Sequence, residues 1–140
     1  LYRPFTVYGP SQTADYPVPA IVSRAVDRLD PLVVWGSGGQ TRDFIHVDDA
    51  VATIVESHEH LEGAAPLNVC TGVGTTFAQI AGLAAEAMGY APTICGDTAK
   101  PGGVAHRVGS PTRMSRWHVP LRSVADGITA LVDDARRPGS

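Results

Sequence analysis

The segment Gly36-Ser37-Gly38-Gly39-Gln40-Thr41-Arg42-Asp43-Phe44-Ile45-His46-Val47-Asp48-Asp49 holds the residue types in this chain best suited to chemistry. Arg42 carries a planar guanidinium, a fork of donors that can grip a phosphate or a carboxylate at two points. Asp43 follows it directly. On an extended chain neighbouring side chains point to opposite faces, so Asp43 is placed to hold local backbone or a neighbouring side chain. The competing reading is that the pair only steadies its own turn, and the residues alone leave both open. A second concentration of polar groups lies between Gly96 and Gly109, with Lys100-Pro101-Gly102-Gly103, His106 and Arg107 in a stretch that reads as loop. Loops this long inside compact domains tend to carry function.

Three other groupings point elsewhere. His58 and His60 flank Glu59, but residues two apart on a helix do not face one another, so a solvated helix end is expected there and no metal site. Gly72-Val73-Gly74 imitates a dinucleotide fingerprint between strand and helix. Phe77 stands where the third glycine belongs, and Pro92 where an acidic residue should follow about 20 positions on. Cys70 and Cys95 lack metal spacing and read as free buried thiols of a cytoplasmic protein. A formal net charge of −3 gives no basic footprint, which argues against nucleic acid. No apolar run approaches the roughly 20 residues of a membrane span, and no signal peptide is visible. With 140 residues, 44% of them apolar, the chain is one domain or part of one.

The elements that must position these residues follow from pattern. Tyr2–Val7 reads as one short buried strand, followed by a turn at Tyr8–Gln12. Tyr16-Pro17-Val18-Pro19 opens a helix whose inner face is Ile21, Val22, Ala25, Val26 and Leu29, ended by Asp30-Pro31. Leu32–Trp35 and Thr41–His46 are extended runs on either side of a glycine hairpin, where positive φ is expected. Asp48 is the expected N-cap of a helix with Val47, Val51, Ile54, Val55 and His58 as its stripe. Leu67–Cys70 is a strand, and Thr71–Thr76 a turn. Thr76 and Gln79 form a capping box for a helix burying Phe77, Ile80, Ala81, Ala84, Ala87 and Met88, stopped by Gly89. Ala91–Cys95 is an edge strand. Ser110-Pro111 opens a short helix to about Trp117. Ser123 and Asp126 cap the last helix, with Val124, Ile128, Leu131 and Val132 inward, and the tail Arg136–Ser140 is expected to be loose.

Gly-x-Gly-x-Gln-x-Arg-Asp-Phe-x-His-Val-x-Asp, together with the upstream Arg3-Pro4-Phe5-Thr6-Val7-Tyr8-Gly9-Pro10, resembles paired hallmark segments of the extended short-chain dehydrogenase/reductase family. That family contains the NAD-dependent nucleotide-sugar epimerases and dehydratases. The resemblance covers nearly all of this chain but less than half of a family protein. It implies an α/β fold: the C-terminal part of a Rossmann-type extended short-chain dehydrogenase with its small substrate-binding domain. Residues 1–140 would then be the nucleotide-sugar-binding portion, inactive alone. NAD or NADP would be bound mainly by an N-terminal half absent from this sequence, and the complete protein would be a cytoplasmic homodimer. The family's Tyr-x-x-x-Lys dyad is missing here, since the only lysine is Lys100 and Gly96 stands four residues before it.

The resemblance also assigns residues. Arg42 would hold the diphosphate of a nucleotide-diphosphate sugar, with Lys100 where many members place an arginine and Arg107 adding to them. Trp35 and Val33, with Pro17 and Val18, would line the base pocket, although a core role for that strand face competes. Thr6 replaces an asparagine that the family uses near the substrate, and Gly103 an aspartate. Those departures support the alternative reading, a catalytically silent nucleotide-sugar-binding or scaffold protein of the same fold.

Overall fold

The computed structural model of the chain describes residues 1–61 and 65–137. In chain order its elements are β1 (Tyr2–Pro4), β2 (Thr6–Tyr8), α1 (Pro17–Val26), β3 (Leu32–Trp35), β4 (Thr41–His46), α2 (Val47–His58), β5 (Leu67–Val69), β6 (Gly74–Thr76), α3 (Phe77–Ala87), β7 (Ile94–Asp97), β8 (His106–Arg107), a 3₁₀ turn at Met114–Trp117 and α4 (Val124–Ala135). The class is α/β. Strand β1 pairs with β5, β3 with β7, and β4 with β2, β6 and β8. Every pairing is parallel except β4 with β6.

Strand β4 is the axis of the molecule. Its second half pairs with β2, and its first half lies between β6 and β8. Alternation sends Phe44 into a core built on α1, α3 and α4, with Ile21, Ala25, Ile80 and Ile128. Ile45 points the other way, into a smaller core with Ala50, Leu67, Val69 and Met114. Each such side chain contributes about 1.5–3 kcal/mol when fully buried. Residues 42–46 are therefore all buried, and Arg42 and Asp43 are held by a strand with little freedom to shift.

The structure redraws several expected elements. Tyr2–Val7 is two strands, not one, and most of it is not buried. Pro4 has no N–H with which to extend a ladder, and β1 and β2 enter different sheets. The glycine turn closes no hairpin: β3 runs on to β7, with Gly36 N donating to Asp97 O at 2.9 Å, while β4 pairs elsewhere. Its glycines are needed, since Gly36 and Gly38 sit at φ of 69° and 76°. A Cβ on Gly36 would also lie 2.7 Å from Gly102 Cα. Helix α1 stops at Val26, before Asp30-Pro31, and leaves Leu29 exposed.

His46, not Asp48, caps α2: its Nδ1 accepts from Asp48 N at 3.3 Å. The buried face of α2 is Asp49, Ala50, Thr53 and Ser57, while Val51, Val55 and His58 of the expected stripe are exposed. Small hydroxyls can be buried because they bond back to the helix: Thr53 Oγ1 donates to Asp49 O (2.7 Å) and Ser57 Oγ to Thr53 O (2.6 Å). The capping box of α3 is formed in both directions (2.8 and 3.1 Å). Ala85 is buried on that helix in place of Ala87 and Met88, which are half-buried.

Strand β7 is shifted from the expected Ala91–Cys95 to match the register Leu32↔Ile94. Strands β6 and β8 stand where a turn and a loop were expected. The helix expected after Ser110-Pro111 is only the 3₁₀ turn, with no side-chain cap. Cys70 is buried and free, but Cys95 is half-buried. Of the expected loose tail, residues 138–140 lie outside the described residues.

Helix α4 has the expected cap, Asp126 N donating to Ser123 Oγ at 3.1 Å. Just before it Arg122 N donates to Asp49 Oδ2 (2.7 Å), and the Arg122 guanidinium lies 3.0 Å from the His46 ring nitrogens. Burial, and then this guanidinium, push the His46 pKa below the ordinary imidazole value. Tyr8 packs edge-on against both Phe44 and His46, and burial pushes its phenol up to about 12. No helix among the described residues is long and apolar enough to cross a membrane.

Candidate functional site

A cavity of about 480 Å³ opens between β2, the start of α1, the end of β3 and the loop before β8. Phe5 and Thr6 form one wall, Tyr16, Pro17 and Trp35 another, and Pro101–Gly103 the lip. Arg42, Phe77 and Arg107 also line it.

Arg42 is 8% exposed. It donates from one guanidinium nitrogen to Thr41 O at 2.9 Å and lies 5.7 Å from the centroid of the Phe77 ring. Among the described residues no carboxylate pairs with it. Arg107 stands beside it because β4 and β8 run parallel with Arg42 and Arg107 in register. Burial, and after it the charge of Arg107, hold the Arg42 pKa below its usual value. Arg24 also lines the cavity, with its guanidinium given to Val33 O (3.0 Å). Asp15 is on the lining too, but among the described residues neither Arg42 nor Arg107 pairs with a carboxylate.

Asp43 points away from Arg42, as alternation requires, and is fully buried. One carboxylate oxygen accepts from Thr71 N (2.7 Å) and Thr71 Oγ1 (2.8 Å). The other accepts from Gly72 N (2.9 Å) and Gly109 N (3.1 Å). In the turn at Gly72–Gly74 the Gly72 amide is thus given to an internal carboxylate, and Val73 N donates to Thr71 Oγ1 (3.1 Å). With those amides taken and a carboxylate behind them, the turn has no favourable potential for a pyrophosphate.

The structure brings some of the expected site residues together and separates others. Arg42, Arg107, Thr6, Trp35 and Pro17 line one cavity. Val18 is buried in the core of α1, and Val33 is half-buried within β3; neither is on the cavity wall. Lys100 does not line the cavity: its Nζ lies 5.7 Å from the centroid of the Trp35 ring. The backbone there is a turn in which Lys100 N donates to Asp97 O at 3.1 Å. Thr6 Oγ1 is buried with no hydrogen-bond partner among the described residues. His58 and His60 are both exposed, and no cluster of metal-ligating side chains occurs among the described residues.

Gln40 was not singled out by sequence reasoning. It is 7% exposed and lines the cavity. Its Nε2 donates to Trp35 O (2.9 Å) and to Gly102 O (3.2 Å), tying the lip of the cavity to the glycine turn. The signal was present: residue 40 lies two before Arg42, the spacing that shares a face on an extended chain.

A sequence profile of the NAD dependent epimerase/dehydratase family matches residues 1–70. GDP-L-fucose synthase of Escherichia coli (strain K12) is 33% identical over 133 residues, covering 84% of this chain and 41% of that protein. A Thermus thermophilus UDP-glucose 4-epimerase, solved in complex with NAD, superposes with a TM-score of 0.82 at 26% identity, over 98% of this chain and 46% of that one. A Bacillus cereus UDP-glucuronic acid 4-epimerase, in complex with UDP-glucuronic acid and NAD, does so at 0.81 and 25%, over 94% and 43%. The chain spans about two fifths of the length of the curated relatives it matches.

Proposed function

Because this chain belongs to the NAD-dependent epimerase/dehydratase family, we propose that it is the nucleotide-sugar-binding portion of such an enzyme and that its cavity takes the diphosphate. The observation that carries this reading is the pair Arg42 and Arg107, two cations lining the cavity that pair with no carboxylate among the described residues. A nucleotide-sugar carries two adjacent phosphates, and guanidinium forks match their oxygens in charge and in geometry. The aromatic and apolar wall of Tyr16, Pro17 and Trp35 suits the flat face of a base. Thr6 lines the cavity, and its buried, unpartnered Oγ1 can donate to or accept from a ligand hydroxyl once the side chain turns toward it. Low exposure of Arg42 strengthens its grip, since water competes less for the charge.

In this reading the chain's own residues bind and orient the substrate and exclude water from its phosphates. When bound to the complete protein, NAD or NADP supplies hydride transfer at the sugar. The dinucleotide is held mainly by polypeptide outside residues 1–140, in line with the spent amides of Gly72 and Val73. Acid–base chemistry is assigned outside this segment too, for Lys100 rests on Trp35 and has no tyrosine four residues before it. Calorimetric titration of the protein with a nucleoside, its diphosphate and the corresponding nucleotide-sugar tests the reading. Affinity should rise roughly 10- to 100-fold or more when the diphosphate is added to the nucleoside; equal affinities would overturn it. Turnover of the sugar by the complete protein separates an enzyme from a silent binder of the same fold.

A further inference from the structure

We infer that Asp43 is a positioning residue which, with Gln40, straps segment 102–109 onto β4 and so holds Arg107 against Arg42. This rests on the diphosphate reading above and adds to it the device that builds the cation pair.

Two arginines do not converge without a restraint. Like charges side by side repel, and Arg107 sits on a two-residue strand with an exposed side chain. The restraint lies in four consecutive residues. Gln40 Nε2 holds Gly102 O at 3.2 Å. Thr41 N holds Ala105 O at 2.9 Å. Arg42 pairs in register with Arg107. Asp43 Oδ2 accepts from Gly109 N at 3.1 Å, a bond that spans 66 positions of sequence. Both ends of the segment are thereby fixed by side chains, one from β4 and one from the residue just before it.

The chemistry of Asp43 fits this role better than that of a local turn cap. A buried carboxylate without a cation loses several kcal/mol of hydration, and charge-assisted bonds from N–H groups offset that loss. Thr71 and Gly72 alone would serve to close the 71–72 turn. The bond to Gly109 adds nothing to that turn, but it sets where β8 begins its return. The approach there is close: a Cβ on Gly109 would lie 2.6 Å from Cys70 Sγ and 2.7 Å from Phe5 Cζ. Nothing bulkier than glycine reaches the carboxylate at that point.

The test is a double-mutant cycle on affinity for GDP and UDP, with the matching nucleosides as controls. In the unsubstituted protein Arg107→Ala should weaken diphosphate binding by about 10-fold. Asp43→Asn faces amide hydrogens toward N–H donors and should release the segment. Adding Arg107→Ala to it should then cost less than about 2-fold, with nucleoside affinity unchanged by Arg107→Ala in each background. If Asp43→Asn fails to fold, Gln40→Ala frees the other end of the segment, and the cost of Arg107→Ala should shrink there in the same way. Full retention of the Arg107 cost in the soluble variant overturns the inference and leaves Asp43 a fold-stabilising group. So does an Arg107→Ala that costs nothing in the unsubstituted protein while Arg42→Ala still does. If neither arginine matters, the diphosphate reading itself has failed.

Discussion

Replacing Arg42 by alanine separates a ligand-holding arginine from a fold-holding one. Among the described residues its side chain makes one hydrogen bond, to Thr41 O, and lies near the Phe77 ring. No described carboxylate is left unpaired when it goes. The cation–aromatic contact is worth about 0.5–1 kcal/mol at a partly exposed site, and relief of repulsion with Arg107 acts in the opposite direction. Stability should therefore fall by no more than about 1 kcal/mol. Binding should fall much further. Hydrogen bonds to a charged group contribute about 1.5–3 kcal/mol, which at 1.4 kcal/mol per factor of ten is roughly 10- to 150-fold in nucleotide-sugar affinity. Arg42→Lys should recover only part, because the charge stays and the planar fork goes. Calorimetry of the nucleotide-sugar and the free nucleoside, with a melting curve for each variant, reads all three quantities. A large drop in melting temperature with equal weakening of both ligands would refute the reasoning and make Arg42 a structural residue.

Other outcomes follow from the same geometry. Lys100→Ala should leave diphosphate affinity within about 2-fold, since the ammonium sits over Trp35 and off the cavity wall; a loss as large as that of Arg42→Ala would mean the loop closes onto the ligand. His46 has a folded pKa below its unfolded value of about 6.5. Its neutral form is therefore favoured by folding: that stability is fully present above about pH 6.5 and is lost as pH falls below it toward the folded value, by at most about 1.4 kcal/mol per pH unit. The other histidines are exposed, so His46→Gln should flatten the melting temperature between about pH 7.5 and about pH 5.5; an unchanged slope would assign it to another group. Gly127→Ala should destabilise by roughly 1–3 kcal/mol, because a Cβ there runs into the Tyr8 hydroxyl and lies 2.8 Å from its Cζ. Tyr8→Phe removes the hydroxyl and keeps the ring carbons, so it should recover only part of the loss, which chemical denaturation of the double variant checks.

What could be read from the sequence was what depends on neighbours along the chain. Alternation alone put Arg42 and Asp43 on opposite faces, and the need for positive φ put glycine at 36 and 38. The capping box of Thr76 and Gln79 is likewise a four-residue matter. The rest depends on contacts between distant segments. The glycine turn looks like a hairpin until β3 finds β7 and β4 finds β2. The valines of α2 make a helical stripe, yet the buried face is the one whose Thr53 and Ser57 satisfy their own hydroxyls. Strands β6 and β8 are three and two residues long, too short to show a period. They exist because β4 offers both its edges. Lys100 stands over Trp35 and off the cavity lining, after a turn at Asp97 that no motif encodes.

A crystal structure of the complete protein with a nucleotide-diphosphate sugar bound would test the central claim most directly. The account predicts diphosphate oxygens at about 2.7–3.0 Å from the guanidinium nitrogens of both Arg42 and Arg107, with the base toward Trp35 and Pro17 and the dinucleotide elsewhere. A structure that places the dinucleotide pyrophosphate between the two arginines, or leaves both facing water while the substrate binds away from them, would contradict it.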